Sequence, residues 1–127
     1  TLKTIIVNVV ANLAPILTSA TQVDNSTVSS LATSSLTAVM VVTRTVTAAK
    51  LGRLEDIEID CDNWSASQFS VSIAGVYLFQ NKRFQNPLSL YFYGRRLAAG
   101  TVVTVEVLST TGATITAWGA IIMSEEG

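Results

Sequence analysis

The sequence contains no histidine, only one cysteine and few charged residues. Without histidine the chain lacks the commonest general base and a common metal ligand of proteins. The single cysteine, Cys61, excludes a disulfide within the chain and a zinc site built from several thiolates. We expect Cys61 to be buried as a small apolar side chain. Charged residues make up 13% of the chain, against about 25% in a typical soluble domain. The surface must therefore be covered by Ser and Thr side chains or by neighbouring copies of the chain.

The charge balance and the apolar runs argue against two kinds of partner. A net charge of -1, with no basic tail, gives no electrostatic attraction to nucleic acid. The longest apolar run, IIVNVVANLAPIL, is interrupted by Asn8, Asn12 and Pro15, and it is shorter than the roughly 20 residues of a membrane-spanning helix. We therefore predict neither a nucleic-acid partner nor a membrane span. The length of 127 residues predicts a single domain over residues 1–127.

The sequence contains no recognisable catalytic motif. Ser and Thr are abundant, but no histidine or motif lysine is available to activate them as nucleophiles. No G-x-S-x-G, P-loop or G-x-G-x-x-G motif is present. The densest group of acids lies along one predicted strand and not across a cleft, which does not suit glycoside hydrolysis. We predict that the chain is not an enzyme and that it needs no cofactor.

Short stretches rich in β-branched residues, bounded by turn residues, fill most of the sequence. No stretch shows a 3.6-residue apolar period over three turns. The pattern predicts an all-β fold, an antiparallel β-sandwich that is jelly-roll-like and has seven to eight strands. An immunoglobulin-like sandwich also fits, but its Cys–Trp–Cys core is absent, which favours the jelly roll.

Three segments have individual predictions. Residues 1–15 are rich in β-branched residues and predict a strand that ends at Pro15. We expect this segment to be an exchanged arm, because strand addition to a neighbour would satisfy an open sheet edge while burying apolar side chains. The Ser/Thr-rich residues 18–35 show no strong period and predict a loop, with a short helix near residues 26–32 or a flexible segment as the alternatives. The segment FSVSIAGVYLFQ, residues 69–80, is interpreted as one strand.

Four predicted strands carry apolar side chains on both faces over part of their length, near Met40, Tyr77, Val103 and Ile121. One face of a sandwich strand is turned to the other sheet, so the second apolar face needs a cover. An exposed Leu or Ile forgoes roughly 1.5–3 kcal/mol of burial, and contiguous exposed patches usually mark interfaces. We therefore expect the partners to be copies of this chain and other structural proteins of an assembly. The predicted interface residues are Ile5, Val7, Val9, Val76, Leu78, Trp118 and Ile122.

The densest charge feature is the segment EDIEIDCD, in which the acids from Asp56 to Asp62 alternate with apolar residues. Like charges on one strand face repel each other unless something neutralises them. Three hypotheses stay open: a Ca²⁺ site, a solvated edge strand whose charges block pairing with other sheets, and a salt-bridged contact with a neighbouring copy. The candidate metal ligands are Asp60 and Asp62, and the candidate bases of the neighbour are Lys82 with Arg83 or Arg95 with Arg96.

Aromatic and basic residues supply candidate ligand sites. Trp64, in the segment DNWSAS, is expected to be the most exposed aromatic residue and could bind a glycan, whereas Tyr77 is expected in the core. Arg95 and Arg96 follow Gly94 at a predicted strand end and could bind phosphate or acidic sugars. A simple solvated basic pair is the alternative for these two arginines.

Part of the sequence resembles a known group of jelly rolls. FSVSIAGVYLF resembles a strand of complement-type globular heads and tumour-necrosis-factor-like proteins, in which Phe69, Gly75, Tyr77 and Phe79 match the family spacing. AGTVVTVEVL and ITAWGAIIM are similar to the penultimate and last strands of that family. The resemblance implies a jelly-roll fold and assembly into trimers. Single jelly rolls also build the coats and decorations of many viruses.

These observations predict a structural, self-assembling subunit, and we expect it to be a virion coat, vertex or decoration protein. The low charge, the Ser/Thr-rich segment and the absence of catalytic motifs are compatible with that class, although fold alone does not determine function. Two alternatives stay open: a secreted pilus or filament subunit joined by strand donation, and a trimeric glycan- or receptor-binding head. The expected location is the virion, or else the extracellular space or cell surface.

Overall fold

The computed structural model describes residues 22–127, and every structural statement below concerns that part of the chain. The predicted exchanged arm, residues 1–15, lies outside the described residues, and so do the predicted interface residues Ile5, Val7 and Val9. None of the described residues forms a helix long and apolar enough to cross a membrane. A single 3₁₀ turn at Trp64–Ala66 interrupts the strands. The strands are β1 (Gln22–Asp24), β2 (Thr27–Thr33), β3 (Val39–Thr45), β4 (Leu51–Cys61), β5 (Ser67–Ile73), β6 (Val76–Lys82), β7 (Leu88–Leu97), β8 (Val102–Ser109) and β9 (Ile115–Glu126).

The strands form two antiparallel sheets that pack face to face. Sheet I has the order β1/β2–β9–β4–β7, where β1 and β2 pair with successive parts of β9, and sheet II has the order β3–β8–β5–β6. The pairs are nested along the chain, because β5 pairs with β6, β4 with β7, β3 with β8, and β1/β2 with β9. A chain that doubles back in this way and rolls into two sheets is a jelly roll. The predicted jelly-roll-like sandwich is confirmed, with nine strands where seven or eight were expected.

The stretch predicted as a Ser/Thr-rich loop, residues 18–35, contains β1 and β2 in its described part, so that prediction is wrong there. The two strands keep one register along β9, from Gln22 opposite Glu126 to Thr33 opposite Ile115. Alternate residues of β2 are half-buried, but most of them are Thr or Ser and only Leu31 is strongly apolar. The alternation is therefore invisible as a hydrophobic pattern, because an edge strand can half-bury small hydroxyl side chains.

The segment 69–80 is a hairpin and not a single strand, which corrects the interpretation above. The chain reverses at Ala74 and Gly75, which both have positive φ angles of 54° and 77°. Two central residues with positive φ form the tight turn whose twist suits a two-residue hairpin. The sequence signal is weak, because Ala at the first position has a Cβ that disfavours this conformation, whereas Asn or Asp is usual there.

The core lies between the sheets and is best packed beneath the middle strands β9, β4, β8 and β5. Phe69, Ile57 and Ile121 are fully buried there. Cys61 is buried too, as expected. Gly119 of β9 lies against sheet II, where an added Cβ would come within 2.7 Å of a Val42 methyl carbon. A side chain at that position would therefore force the sheets apart.

The sandwich is less completely packed along β6 and β7, the edge strands that we call the open edge. Phe79 of β6 and Leu90 and Phe92 of β7 pack against the core but are only half-buried. Val76 and Leu78 of β6 are exposed, Val76 to 67%. Apolar side chains thus reach the surface at the open edge.

Candidate functional site

The candidate site is the outer face of sheet I, the side turned away from sheet II. In β4, Ile57 and Ile59 are buried in the core, whereas Glu58 and Asp60 are exposed, so the acids lie on the outer face. The predicted alternation of this segment is confirmed. The edge-strand hypothesis is wrong, however, because β4 pairs with β9 on one side and with β7 on the other. Its acids cannot serve to block edge-to-edge pairing.

Apolar side chains of β9 and β2 adjoin these acids on the same face. Trp118 lies opposite Asp60 and is 42% exposed. Ala120 lies between Glu58 on one side and Val28 on the other, and Val28 is 72% exposed. A tryptophan, a valine and two carboxylates therefore surround the small side chain of Ala120.

A shallow depression of about 270 Å³ lies over this part of the face. It forms because Ala120 is short while its neighbours are long, and because the start of β7 forms one wall, with Ser89 paired to Glu58. Its lining is mixed, with apolar walls and carboxylates at one side. The main lining side chains are Val28, Glu58, Asp60, Pro87, Ser89 and Trp118.

Farther along the outer face, Ile122 continues the apolar surface. It is half-buried and lies opposite Asp56, which in turn pairs with Tyr91 of β7. The rings of Tyr91 and Tyr93 lie 6.2 Å apart between centroids. Tyr93 is 88% exposed and has a φ of 53°, because an irregularity in β7 turns it out of the regular ladder.

Basic side chains occupy the end of the face opposite to the acids. Arg96 of β7 pairs in register with Arg53 of β4, and Arg95 precedes it on the same exposed edge strand. Arg53 forms an ion pair with Glu126, with 3.0 Å between Nε and Oε1. The possible ligand residues Arg95 and Arg96 are thus both exposed. Arg96 lies at the end of the face that carries the predicted interface residues Trp118 and Ile122, whereas Arg95 is paired with the core residue Leu54 and lies on the other side of the sheet.

The predicted metal ligands, Asp60 and Asp62, are both engaged with backbone groups. Asp60 accepts a hydrogen bond from the Cys61 N–H at 2.8 Å, and Asp62 accepts one from the Thr116 N–H at 2.9 Å. Across residues 22–127 no three or more His, Cys, Asp or Glu side chains are grouped so that they could hold a metal ion. The Ca²⁺ hypothesis therefore has no geometric support in the described part of the chain.

Two aromatic residues differ in exposure from what the sequence predicted. Trp64 is half-buried and packs against Phe69, with 5.7 Å between ring centroids, so it is less exposed than Trp118 or the tyrosines. Tyr77, expected in the core, is exposed on sheet II and donates a hydrogen bond to Glu106 at 3.2 Å. That hydrogen bond and the Glu106 charge raise the pKa of the Tyr77 phenol above its ordinary value. Its position follows from the hairpin, which reverses the chain before Tyr77.

A buried polar contact links the edge strand of sheet I to β9. The break between β1 and β2 brings Asn25 against Glu125, and the Asn25 amide donates a hydrogen bond to that carboxylate. The Thr47 N–H donates a second one at 2.7 Å. Burial of Glu125 opposes its ionisation, but the Thr47 hydrogen bonds, with the charges of Arg44 and Lys50, hold its pKa below the ordinary value. The ionised carboxylate therefore stabilises this edge.

No family model matches the chain, and no curated protein matches it. The resemblance to tumour-necrosis-factor-like and complement-type heads stays a prediction. The four residues that carry it do not lie on one strand, because Phe69 is in β5, Gly75 is in the turn, and Tyr77 and Phe79 are in β6.

Sequence reasoning missed the contribution of Val28, Pro87 and Tyr91 to the outer face. Val28 sits in a stretch predicted as a loop, and Pro87 comes just before β7. Only the pairing of β2 and β7 in sheet I brings them beside the acids of β4. The assembled face combines exposed apolar side chains of β2 and β9 with the carboxylates of β4.

Proposed function

We propose that this chain is a non-enzymatic structural subunit that assembles with copies of itself, and that it serves as a coat, vertex or decoration protein of a virus particle. The observation that carries the proposal is the apolar surface on the outer face of sheet I. Val28, Trp118 and Ile122 lie in neighbouring register positions of β2 and β9. Tyr91 follows on β7, beyond Asp56, and of the four apolar side chains all but Ile122 are exposed. Contiguous apolar surface of this kind commonly marks a protein interface.

A second apolar surface supports the same proposal. At the open edge, Val76 and Leu78 are exposed, and Phe79 and Phe92 are only half-buried. Each such side chain that becomes covered adds up to roughly 1.5–3 kcal/mol of burial. Assembly would thus recover stabilisation that the isolated sandwich leaves unused.

The test is the native mass of the whole chain in dilute neutral buffer, measured by light scattering over a range of concentrations. We expect an oligomer that Val28→Ser combined with Trp118→Ser dissociates. Leu36→Ser is the matched control, because Leu36 is 64% exposed but lies between β2 and β3, outside sheet I. A wild-type chain that stays monomeric at high concentration contradicts the proposal. Repeating the measurement with a chelator tests whether a metal ion contributes.

Electron microscopy of the assembled protein tests which kind of assembly the chain forms. Closed shells or rings support a coat or vertex subunit, whereas long fibres favour the pilus or filament alternative. Deletion of residues 1–15 separates the two further. A subunit joined by strand donation would be left with an open groove and would misfold, while a coat or decoration subunit should still fold.

A glycan- or receptor-binding head is a second candidate, favoured by the depression beside Trp118. An exposed indole with carboxylates at its side can stack on a sugar ring and accept hydrogen bonds from its hydroxyls. A glycan array probed with the whole chain tests it. Binding that Trp118→Ala abolishes and Trp64→Ala leaves intact would support this candidate, and no binding to any glycan would count against it.

A further inference from the structure

The open edge leaves apolar side chains of β6 and β7 uncovered on the faces that the two sheets turn toward each other. Val76 and Phe79 of β6 pair with core residues of β5, and Leu88 and Leu90 of β7 pair with core residues of β4. Residues opposite each other in a ladder share one face, so these four side chains point between the sheets. Val76 is nevertheless 67% exposed, and the other three are only half-buried. With two further phenylalanines they form a row that we call the mouth: Val76, Phe79, Phe84, Leu88, Leu90 and Phe92.

Within residues 22–127, no strand pairs with the outer sides of β6 and β7. In the described chain β6 pairs with β5 alone, and β7 pairs with β4 alone. Asn81 of β6 and Tyr93 of β7 have positive φ angles of 49° and 53°, and such irregularities interrupt a regular hydrogen-bond ladder. A segment that covers the mouth is therefore held mainly by its side chains, and it must present an apolar face.

The chain itself contains a segment with such a face, in the part that lies outside the described residues. From residue 5 to residue 13 every second residue is apolar, namely Ile5, Val7, Val9, Ala11 and Leu13. The opposite face includes Asn8 and Asn12, which suit contact with water. The nine residues 5–13 carry no charge and, when extended, span about 30 Å, which matches the ten-residue strand β7.

The position of Gln22 indicates which copy's mouth this segment covers. Gln22 starts β1 on the edge of sheet I opposite to β7, so three strand spacings of about 4.8 Å separate the two strands. At this end of the sandwich the connections 46–50 and 98–101 run between the sheets, and Val46 and Gly100 hydrogen-bond across them. These connections lie on the path from Gln22 to the mouth of the same copy. The chain thus enters the sandwich at the edge farthest from its own mouth, and a neighbouring copy beside that edge is the more direct recipient.

We propose that residues 5–13 of one copy lie in the mouth of a neighbouring copy, with their apolar face against the half-buried phenylalanines and leucines there. This inference rests on the proposed function, since it names one contact of the assembly and the segment that makes it. The middle of the core is closed without the segment, because Phe69, Ile57 and Ile121 are fully buried within the described chain. The exchanged segment therefore joins copies and is not needed for each copy to fold, in contrast to the strand that completes a donor-strand filament subunit.

The first test changes one face of the segment in the whole chain. Val7→Asp combined with Val9→Asp places two carboxylates on the apolar face. We expect association at least about tenfold weaker in sedimentation equilibrium, since withdrawing one valine from an apolar site already costs about that factor. Ile6→Asp combined with Val10→Asp is the matched control, because it adds the same charges to the same segment on the opposite face. The control should leave association nearly unchanged.

The second test changes the mouth. Val76→Asp should weaken association by a similar factor, because it places a carboxylate where the segment packs. The variant should still fold, since Val76 is largely exposed in a single copy. Leu36→Asp is the matched control, because Leu36 is 64% exposed but lies in the connection between β2 and β3, away from the mouth. Circular dichroism and a thermal melt verify that each variant folds.

A cross-linking experiment identifies the copy that receives the segment. Two variants, Val9→Cys and Gln80→Cys, each also carry Cys61→Ala. Val9 is midway along the segment, and Gln80 is exposed near the middle of β6. We expect a short bifunctional maleimide to link the two variants to each other when they are mixed. Ser30→Cys replaces Gln80→Cys in the control mixture, because Ser30 is exposed on β2 at the opposite edge of sheet I, and it should give no link.

The outcomes separate this inference from the proposed function. A wild type that stays monomeric refutes both. A wild-type oligomer that either the segment variant or the mouth variant fails to weaken, or that the controls weaken equally, overturns the inference and leaves self-assembly standing. A mixture that gives no link between the two cysteine variants overturns it as well. So does a chain carrying both Val9→Cys and Gln80→Cys that links only within itself, because the segment then lies in the mouth of its own copy.

Discussion

In sheet I, the central strand β4 and the neighbouring edge strand β7 bury similar apolar side chains to different depths. In β4, Ile57 and Ile59 are fully or almost fully buried, and their register partners in β7, Leu90 and Leu88, are only half-buried. Over the paired stretch both strands read apolar, polar, apolar in sequence, as residues 57–59 in β4 and residues 88–90 in β7. β4 has a strand on each side and sheet II beneath it, whereas β7 is an edge strand at the open edge. Burial therefore depends on the neighbours of a strand and not on its own alternation.

The largest expected effect is the difference in free energy of unfolding between a variant of Ile57 and a variant of its register partner Leu90. Ile57→Ala should lower the free energy of unfolding by about 4 kcal/mol, because it leaves a cavity in a closed part of the core. Leu90→Ala should cost about half as much, roughly 2 kcal/mol, because water already reaches this side chain and can fill the space. Urea unfolding of both variants, at concentrations where the chain is monomeric, measures the difference. Equal losses would show that the open edge is as well packed as the middle.

Gly119 tests how tightly the middle of the sandwich is packed. Gly119→Ala should cost about 1–3 kcal/mol, because the new Cβ would meet the Val42 methyl carbon at 2.7 Å. Combining it with Val42→Ala should give a smaller loss than the sum of the two single losses, since the shorter side chain makes room. Strict additivity in urea unfolding would mean that crowding between the sheets is not the cause.

Substitution of Glu125 tests the other edge of sheet I, where a buried carboxylate accepts hydrogen bonds from Asn25 and Thr47. Its folded-state pKa lies below the ordinary value of 4.5, so ionisation stabilises the fold above that pH, and the contribution is lost as the pH falls through the folded-state pKa. Glu125→Gln should therefore cost about 1 kcal/mol at neutral pH, and the difference from the wild type should shrink below pH 4.5. Unfolding measured from pH 7 to pH 3 checks this. Glu55→Gln, at an exposed bulge position, is the control and should change stability by less than about 0.5 kcal/mol.

The smallest expected effect concerns the ion pair at the basic end of the face. Arg53 and Glu126 lie 3.0 Å apart with partly exposed side chains, so their coupling should be about 0.5 kcal/mol. A double-mutant cycle with Arg53→Ala and Glu126→Ala measures it, and the value should fall at high salt. A coupling above roughly 2 kcal/mol would place this pair among the main determinants of the edge and contradict the expectation for a partly exposed ion pair.

The correct predictions rest on a short-range residue pattern along one strand, whereas the wrong ones concern features that such a pattern does not show. Cys61 and the apolar residues of β4 were placed correctly because a clean two-residue alternation directly shows which side is buried. The hairpin at Ala74 was missed because its turn uses a residue that seldom adopts positive φ. β2 was missed because an edge strand can half-bury hydroxyl side chains without an apolar pattern.

The same distinction applies to the outer face of sheet I. From the sequence we predicted Trp118 and Ile122 as interface residues, and Arg95 with Arg96 as a separate ligand site. No sequence pattern connects these residues with each other or with Val28. Their strands are far apart along the chain and become neighbours only through the nested pairing of the jelly roll.

Three features follow from the amino-acid sequence alone: the all-β class, the alternation that turns the β4 acids outward, and the shortage of charge that leaves apolar area on the surface. Each of these depends on residue type and on spacing along one strand, which are local properties. Three other features come from the way the chain folds: the acidic strand is central, β6 and β7 form an open edge, and the β4 acids share one face with Trp118 and Val28. Those features depend on which strands become neighbours, and strand pairing is set by long-range packing that no local pattern encodes.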